Sequence, residues 1–141
     1  MITLRRSLDS LLLEFGGVRK RAIAEVTDGI RVVRLQFVTD LPGQEMLYLR
    51  KEAEAQKFLA ELITPTDLTN WPLVAAEVGI TAPTAYEVAQ VYVNLGAMWE
   101  ATAAALETIR LGAVVSIEAA TTSAEVDAAL SLFHISMEAF E

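Results

Sequence analysis

The chain has no cysteine and a single histidine, His134, in 141 residues. Without a thiol, disulfides, thiolate nucleophiles and cysteine metal sites are excluded, and the redox compartment is left open. No His-x-x-Glu-His, glycine-rich phosphate loop, nucleophile elbow or acidic pair with metal spacing accompanies His134, which therefore reads as an ordinary helix residue. Long apolar runs are also missing. Even Leu111 to Ile117 is closed off by Arg110 and Glu118, far short of the roughly eighteen residues of a membrane span. The opening Met1-Ile2-Thr3-Leu4-Arg5-Arg6 carries the positive charge of a signal peptide, but Asp9 and Glu14 leave no apolar region behind it, so no export by that route is expected. No catalytic residue, cofactor or metal ligand can be named, and the expectation is a protein that is not an enzyme.

What is present is a composition that folds: 53% hydrophobic and 21% charged residues exclude a disordered chain. The net charge of -8 is unevenly spread. Residues 1–50 carry eight Arg or Lys against six acids, and residues 51–141 carry three against thirteen. The hydrophobic period changes at about the same place. Two modules are expected, a small β-rich one over 1–49 and a helical, oligomerising one over 50–141, making an α+β fold.

In the front module, Ser7 can cap a short helix through Phe15, ended by Gly16-Gly17, although a strand is possible there too. Ala22 to Val26 and Ile30 to Val38 then read as two strands joined by the Thr27-Asp28-Gly29 turn. In the second of these, Val33, Leu35 and Phe37 alternate with Arg34 and Gln36. Leu41-Pro42-Gly43-Gln44 has the Pro and Gly of a type II turn, and Glu45 to Leu49 follows as a third strand. The expected unit is an antiparallel β-meander.

The rear module reads as helical. Lys51 to Ala60 uses strong helix formers, with Ala55, Phe58, Leu59 and Leu62 on one stripe. Pro65 breaks that helix, Pro72 opens a short one to Val78, and Gly79 closes it. Thr84, three residues before Glu87, makes a capping box for a long helix running to Thr121, and Thr122 to Glu125 repeats the device for a returning C-terminal helix to about Ala139. Read by heptads, the long helix has Val88, Tyr92, Leu95, Trp99, Thr102, Leu106, Ile109, Ala113, Ser116 and Ala120 in one seam. A second stripe of Val91, Met98, Ala105, Gly112 and Ala119 widens the apolar face to suit a bundle or a symmetric trimer. At 1.5 Å per residue the helix would run roughly 55 Å, longer than the roughly 40 Å diameter of a compact globule of this length. Hence the seam is expected to be an interface between copies, a trimer being favoured; the alternative is a monomeric hairpin that kinks at Gly96 or Gly112.

Arg19, Lys20 and Arg21 form the one basic cluster. With a module charge of only +2 beside an acidic remainder, nucleic-acid binding is not expected, and partner docking, by pairing between subunits with the acidic rear module, is the better use for them. Trp71 and Trp99 read as core or interface anchors.

The order Pro42-Gly43-Gln44-Glu45-Met46, Tyr48, Lys51-Glu52-Ala53-Glu54-Ala55, Phe58-Leu59, then Trp71 to Gly79, Val88-Ala89, Trp99, Glu107 to Arg110 and Ala119-Ala120 resembles small tail-region proteins of tailed bacteriophages and prophages, especially of alphaproteobacteria. The likeness covers about residues 20 to 130 and brings no catalytic motif. It implies a virion component that is part of, or attached to, a tail fibre, made in the host cytoplasm and located in the tail, with other tail proteins as partners. It equally accommodates a chaperone of tail or fibre assembly. Neither nucleic acid nor membrane is an expected partner, and no cofactor is implied.

Overall fold

A computed structural model describes residues 7–39 and 41–141. Five α-helices follow in order: α1 (Leu8–Phe37), α2 (Gln44–Ala60), α3 (Pro72–Ala76), α4 (Ala85–Ala119) and α5 (Ser123–Met137), then a 3-10 turn at Glu138–Phe140. The opening Met1 to Arg6, read above for export, lies outside the described residues. Among the described residues the one β-type pairing is an isolated parallel bridge between Val78 and Ala82. The fold is therefore all-helical, and the expected α+β architecture with its N-terminal meander is overturned.

The reason is visible in α1. Ala22, Val26, Ile30 and Val33 recur every three or four residues, and all four are buried on one face. The alternation of Val33, Leu35 and Phe37 is not used: Val33 is 6% exposed, whereas Leu35 and Phe37 are 42% and 48% exposed. Asp28-Gly29 makes no turn. Gly29 sits inside the helix because a β-carbon there would meet the Phe133 ring of α5 at 2.9 Å, so the missing side chain admits a close helix-to-helix approach rather than a reversal of the chain. Gly16-Gly17 likewise fails to end a helix, since α1 continues through both. Ser7 does cap it, its Oγ accepting from the Ser10 amide at 3.1 Å.

At Leu41–Gln44 the chain makes a turn closed by the Gln44 amide on the Leu41 carbonyl at 3.0 Å, and Gly43 takes φ 81° and ψ -5°. Those are the angles of the third residue of a type II turn. The turn joins two helices, with Glu45 to Leu49 forming the first turns of α2.

The first capping box is present in full and the second in part. Thr84 Oγ1 accepts from the Glu87 amide at 3.2 Å while Glu87 accepts from the Thr84 amide at 3.1 Å. Thr122 Oγ1 accepts from the Glu125 amide at 3.2 Å, but the Glu125 carboxylate reaches back one residue further, to the Thr121 amide at 2.6 Å. Between them α4 runs as a single helix of 35 residues through Gly96 and Gly112.

The chain forms two compact units. One takes the described residues of 1–36 together with 104–141; the other is 37–103. The expected boundary near residue 50 falls within α2. In the first unit, stripes from α1, α4 and α5 meet in an aliphatic core around Val26, Ile30, Leu106, Ile117, Val126 and Phe133. Each such side chain contributes about 1.5–3 kcal/mol on burial. In the second unit, Ala55 and Phe58 of α2, Val74 of α3 and Val88, Ala89 and Tyr92 of α4 form a smaller core, with the Trp71 ring standing edge-on to Phe58 at 5.3 Å.

Candidate functional site

The seam expected between copies is used in part inside the chain. Val88 and Tyr92 are buried in the core of the 37–103 unit, and Leu106 and Ala113 in that of the other. Trp99 and Ile109 are half-buried, and Leu95 is exposed. The basic cluster is divided too. Arg19 turns inward, its guanidinium 4.6 Å from the Phe15 ring centre and donating to the Ala120 carbonyl just past the end of α4, where a cation complements the helix dipole. Its Nε is buried without a partner. Lys20 and Arg21 are exposed. His134 places Nε2 2.8 Å from Glu25 Oε1 on the exposed side of α5.

The most built arrangement of polar and apolar side chains lies in the 37–103 unit, and neither composition nor spacing announced it. Its polar part begins with α3, whose first-turn amide at Val74 has no cap from Trp71. Glu54 of α2 supplies one from a distance in sequence, accepting from the Val74 amide at 2.7 Å. After α3, Gly79 with φ 80° folds the chain back so that its amide donates to the Ala82 carbonyl at 2.7 Å. This tight loop presents Glu77 to α2. The Lys51 ammonium pairs with the Glu77 carboxylate, and Thr81 Oγ1 donates to the same carboxylate at 2.5 Å. Lys51 also stands 5.2 Å from the Tyr92 ring centre and 6.0 Å from that of Tyr48, close enough for the ring faces to attract the cation.

The electrostatics follow from this packing. Burial pushes the Glu77 carboxyl up, but hydrogen bonding from Lys51, Thr81 and Tyr92 outweighs it and leaves the group below the usual carboxylate range. Burial, reinforced by the neighbouring Glu77 charge, raises the Tyr92 hydroxyl above the ordinary phenol range. Hydrogen bonding with Thr39 and Gln44 lowers the Tyr48 hydroxyl instead.

Above this ion pair opens a pocket of about 530 Å³ between α2 and α4. Tyr48, Leu49 and Glu52 come from α2; Val91, Leu95 and Met98 come from α4, at the spacing of one helical face. Phe37 and Trp99 close one end, their ring centres 5.7 Å apart. Gly96 lines the wall where the Glu52 carboxylate lies over it: a β-carbon there would meet that carboxylate at 2.5 to 2.7 Å.

Chemically this is a place to hold something. The Lys51 charge is neutralised by Glu77, the Tyr92 hydroxyl, its pKa raised, is held protonated, and the Thr81 hydroxyl is tied up on the Glu77 carboxylate. Among the described residues no group of three or more His, Asp or Glu is placed to hold a metal ion, and no helix is long and apolar enough to cross a membrane. Comparison of the chain with protein-family models, with curated proteins and with solved structures finds no match.

Proposed function

We propose that the chain is a structural component of a bacteriophage tail, part of or attached to a tail fibre, that works by binding other proteins and copies of itself rather than by transforming a substrate. The observation that carries this reading is the apolar surface left uncovered on helices whose cores are already closed. Leu95, Met98, Leu111, Val115, Leu132 and Ile135 are each 48% to 65% exposed. Side chains of this size left in water along helix faces favour association. The residue pattern shared with small tail-region proteins supplies the biological setting, the tail of a virion assembled in the host cytoplasm.

A second reading, the tail or fibre assembly chaperone, is favoured by a different observation. Val88, Leu106 and Ala113 are buried within one chain, so a single copy has a core without a partner, as a transient chaperone requires. Light scattering at several concentrations, joined to a search for the protein in purified particles, separates the two. A persistent trimer or larger species that stays in particles supports the structural role. A monomer absent from particles supports the chaperone. A monomer with no affinity for any tail protein overturns both.

A further inference from the structure

The two units differ in how many helices close them. Around 104–141 three long stripes, from α1, α4 and α5, cover one another. In the 37–103 unit only α2 and α4 are long, and α3 has five residues. The groove lies between those two long helices. Its rim is apolar and open: Leu49, Leu95 and Met98 all line the pocket and are well exposed.

The groove is also charged in one sense. Among the described residues Lys51 is its one cation, paired with Glu77 and covered by two tyrosine rings. Glu45 and Glu52 line the same pocket, and among the described residues neither stands in an ion pair. Glu52 holds only the Gln56 amide, at 3.2 Å. Gly96 leaves room for the Glu52 carboxylate against α4, at a helix position where glycine is less favourable than alanine. Acids beside an apolar trough and the exposed Phe37 and Tyr48 rings select against an acidic or purely polar occupant and favour a cation carried next to a large apolar side chain.

We propose that the groove between α2 and α4 receives an amphipathic helix of a partner protein, one that sets a large apolar side chain into the pocket and an arginine or lysine against Glu45 and Glu52. This rests on the reading of the chain as a tail assembly component and names the chemistry of its partner. A pocket of about 530 Å³ falls within the range that accepts a compact anchor. The Val91, Leu95 and Met98 spacing is that of one helix face reading another.

The test uses the full chain and three short fluorescent alanine-based helical peptides. The first carries Leu, Phe and two Arg on one face; the second has Glu in place of Arg; the third keeps Arg but has Ala in place of Leu and Phe. Fluorescence anisotropy is expected to show micromolar binding of the first peptide and at least tenfold weaker binding of the other two. Leu95→Lys, a change at an exposed position, is expected to weaken the first peptide about a hundredfold with the helical circular dichroism unchanged. Glu52→Gln is expected to weaken it about fivefold while binding the Glu-bearing peptide no more weakly than the parent does. Equal binding of all three peptides, or binding untouched by Leu95→Lys, overturns the proposal. So does self-association that Leu95→Lys abolishes without any peptide binding, which would give the groove to a second copy. The tail assignment stands or falls separately, on whether the protein is found with tail proteins, so the peptide result can fail while that reading holds.

Discussion

The two units solve one problem with different means. The unit of 1–36 and 104–141 buries twelve residues in a core of aliphatic, methionine and phenylalanine side chains, and its charged pairs, such as Glu107 with Arg34 and Arg110, lie on the surface. The 37–103 unit buries six and adds polar ties, Glu54 to the Val74 amide and Lys51 to Glu77, that hold an irregular stretch over 61–84 against two helices. Where long helices supply the surface, shape suffices; where a loop must be fixed, carboxylates take over.

The strongest way to break this contrast is Leu106→Asp. It puts an unpaired charge in a fully buried site and should cost about 4 kcal/mol or more, a large part of a domain's total of about 5–15 kcal/mol. Amide exchange should then lose its protection in α1 and α5; retained protection would mean that Leu106 is solvated and the aliphatic core misplaced. Phe58→Ala should follow, at about 3 kcal/mol. In denaturant titrations its loss should appear in the amides of α2 and α3.

The polar ties are tested by Glu77→Gln, expected to cost about 1–2 kcal/mol at neutral pH. Because the folded carboxyl lies below its ordinary range, its contribution is complete above the unfolded value and disappears as pH falls through the lowered one. The melting-temperature gap between the variant and the parent should therefore shrink below about pH 4. A gap that stays constant in acid would remove the ion pair from the account.

The smallest effect sets two glycines against each other. Gly29→Ala gains helix propensity but drives a methyl into the buried Phe133 ring, for a net loss of about 1 kcal/mol. Gly96→Ala meets only the free end of the Glu52 side chain, which can swing away, so a gain of under ~1 kcal/mol is expected. Thermal melts that rank the two the other way would show that Phe133, and not Glu52, is the side chain free to move.

The sequence made the punctuation of the rear half legible, because caps are local chemistry. Thr84 with Glu87, Thr122 with Glu125, Pro72 at the head of α3 and Gly79 beyond it all act within a few residues of themselves. The front half misled for the opposite reason. Gly29 owes its place to Phe133, more than a hundred positions away, and the β-branched residues from Ile30 to Val33 suit a strand as readily as a helix. The series Ala22, Val26, Ile30, Val33 was the signal that could have decided it. The pocket was hidden because Lys51, Glu77 and Tyr92 share no motif and are brought together only by the loop that Gly79 turns.

One unit being made from two stretches far apart in the sequence has a consequence for biosynthesis. The apolar face of α1 leaves the ribosome early, yet its partner Phe133 is about a hundred residues behind, a delay of roughly 5–20 s at ordinary elongation rates. The 37–103 unit, whose core is drawn from one stretch of sequence, can close in the meantime. A nascent α1 thus waits with Val26 and Ile30 in water, and the cell must tolerate or shelter that interval each time a copy is translated.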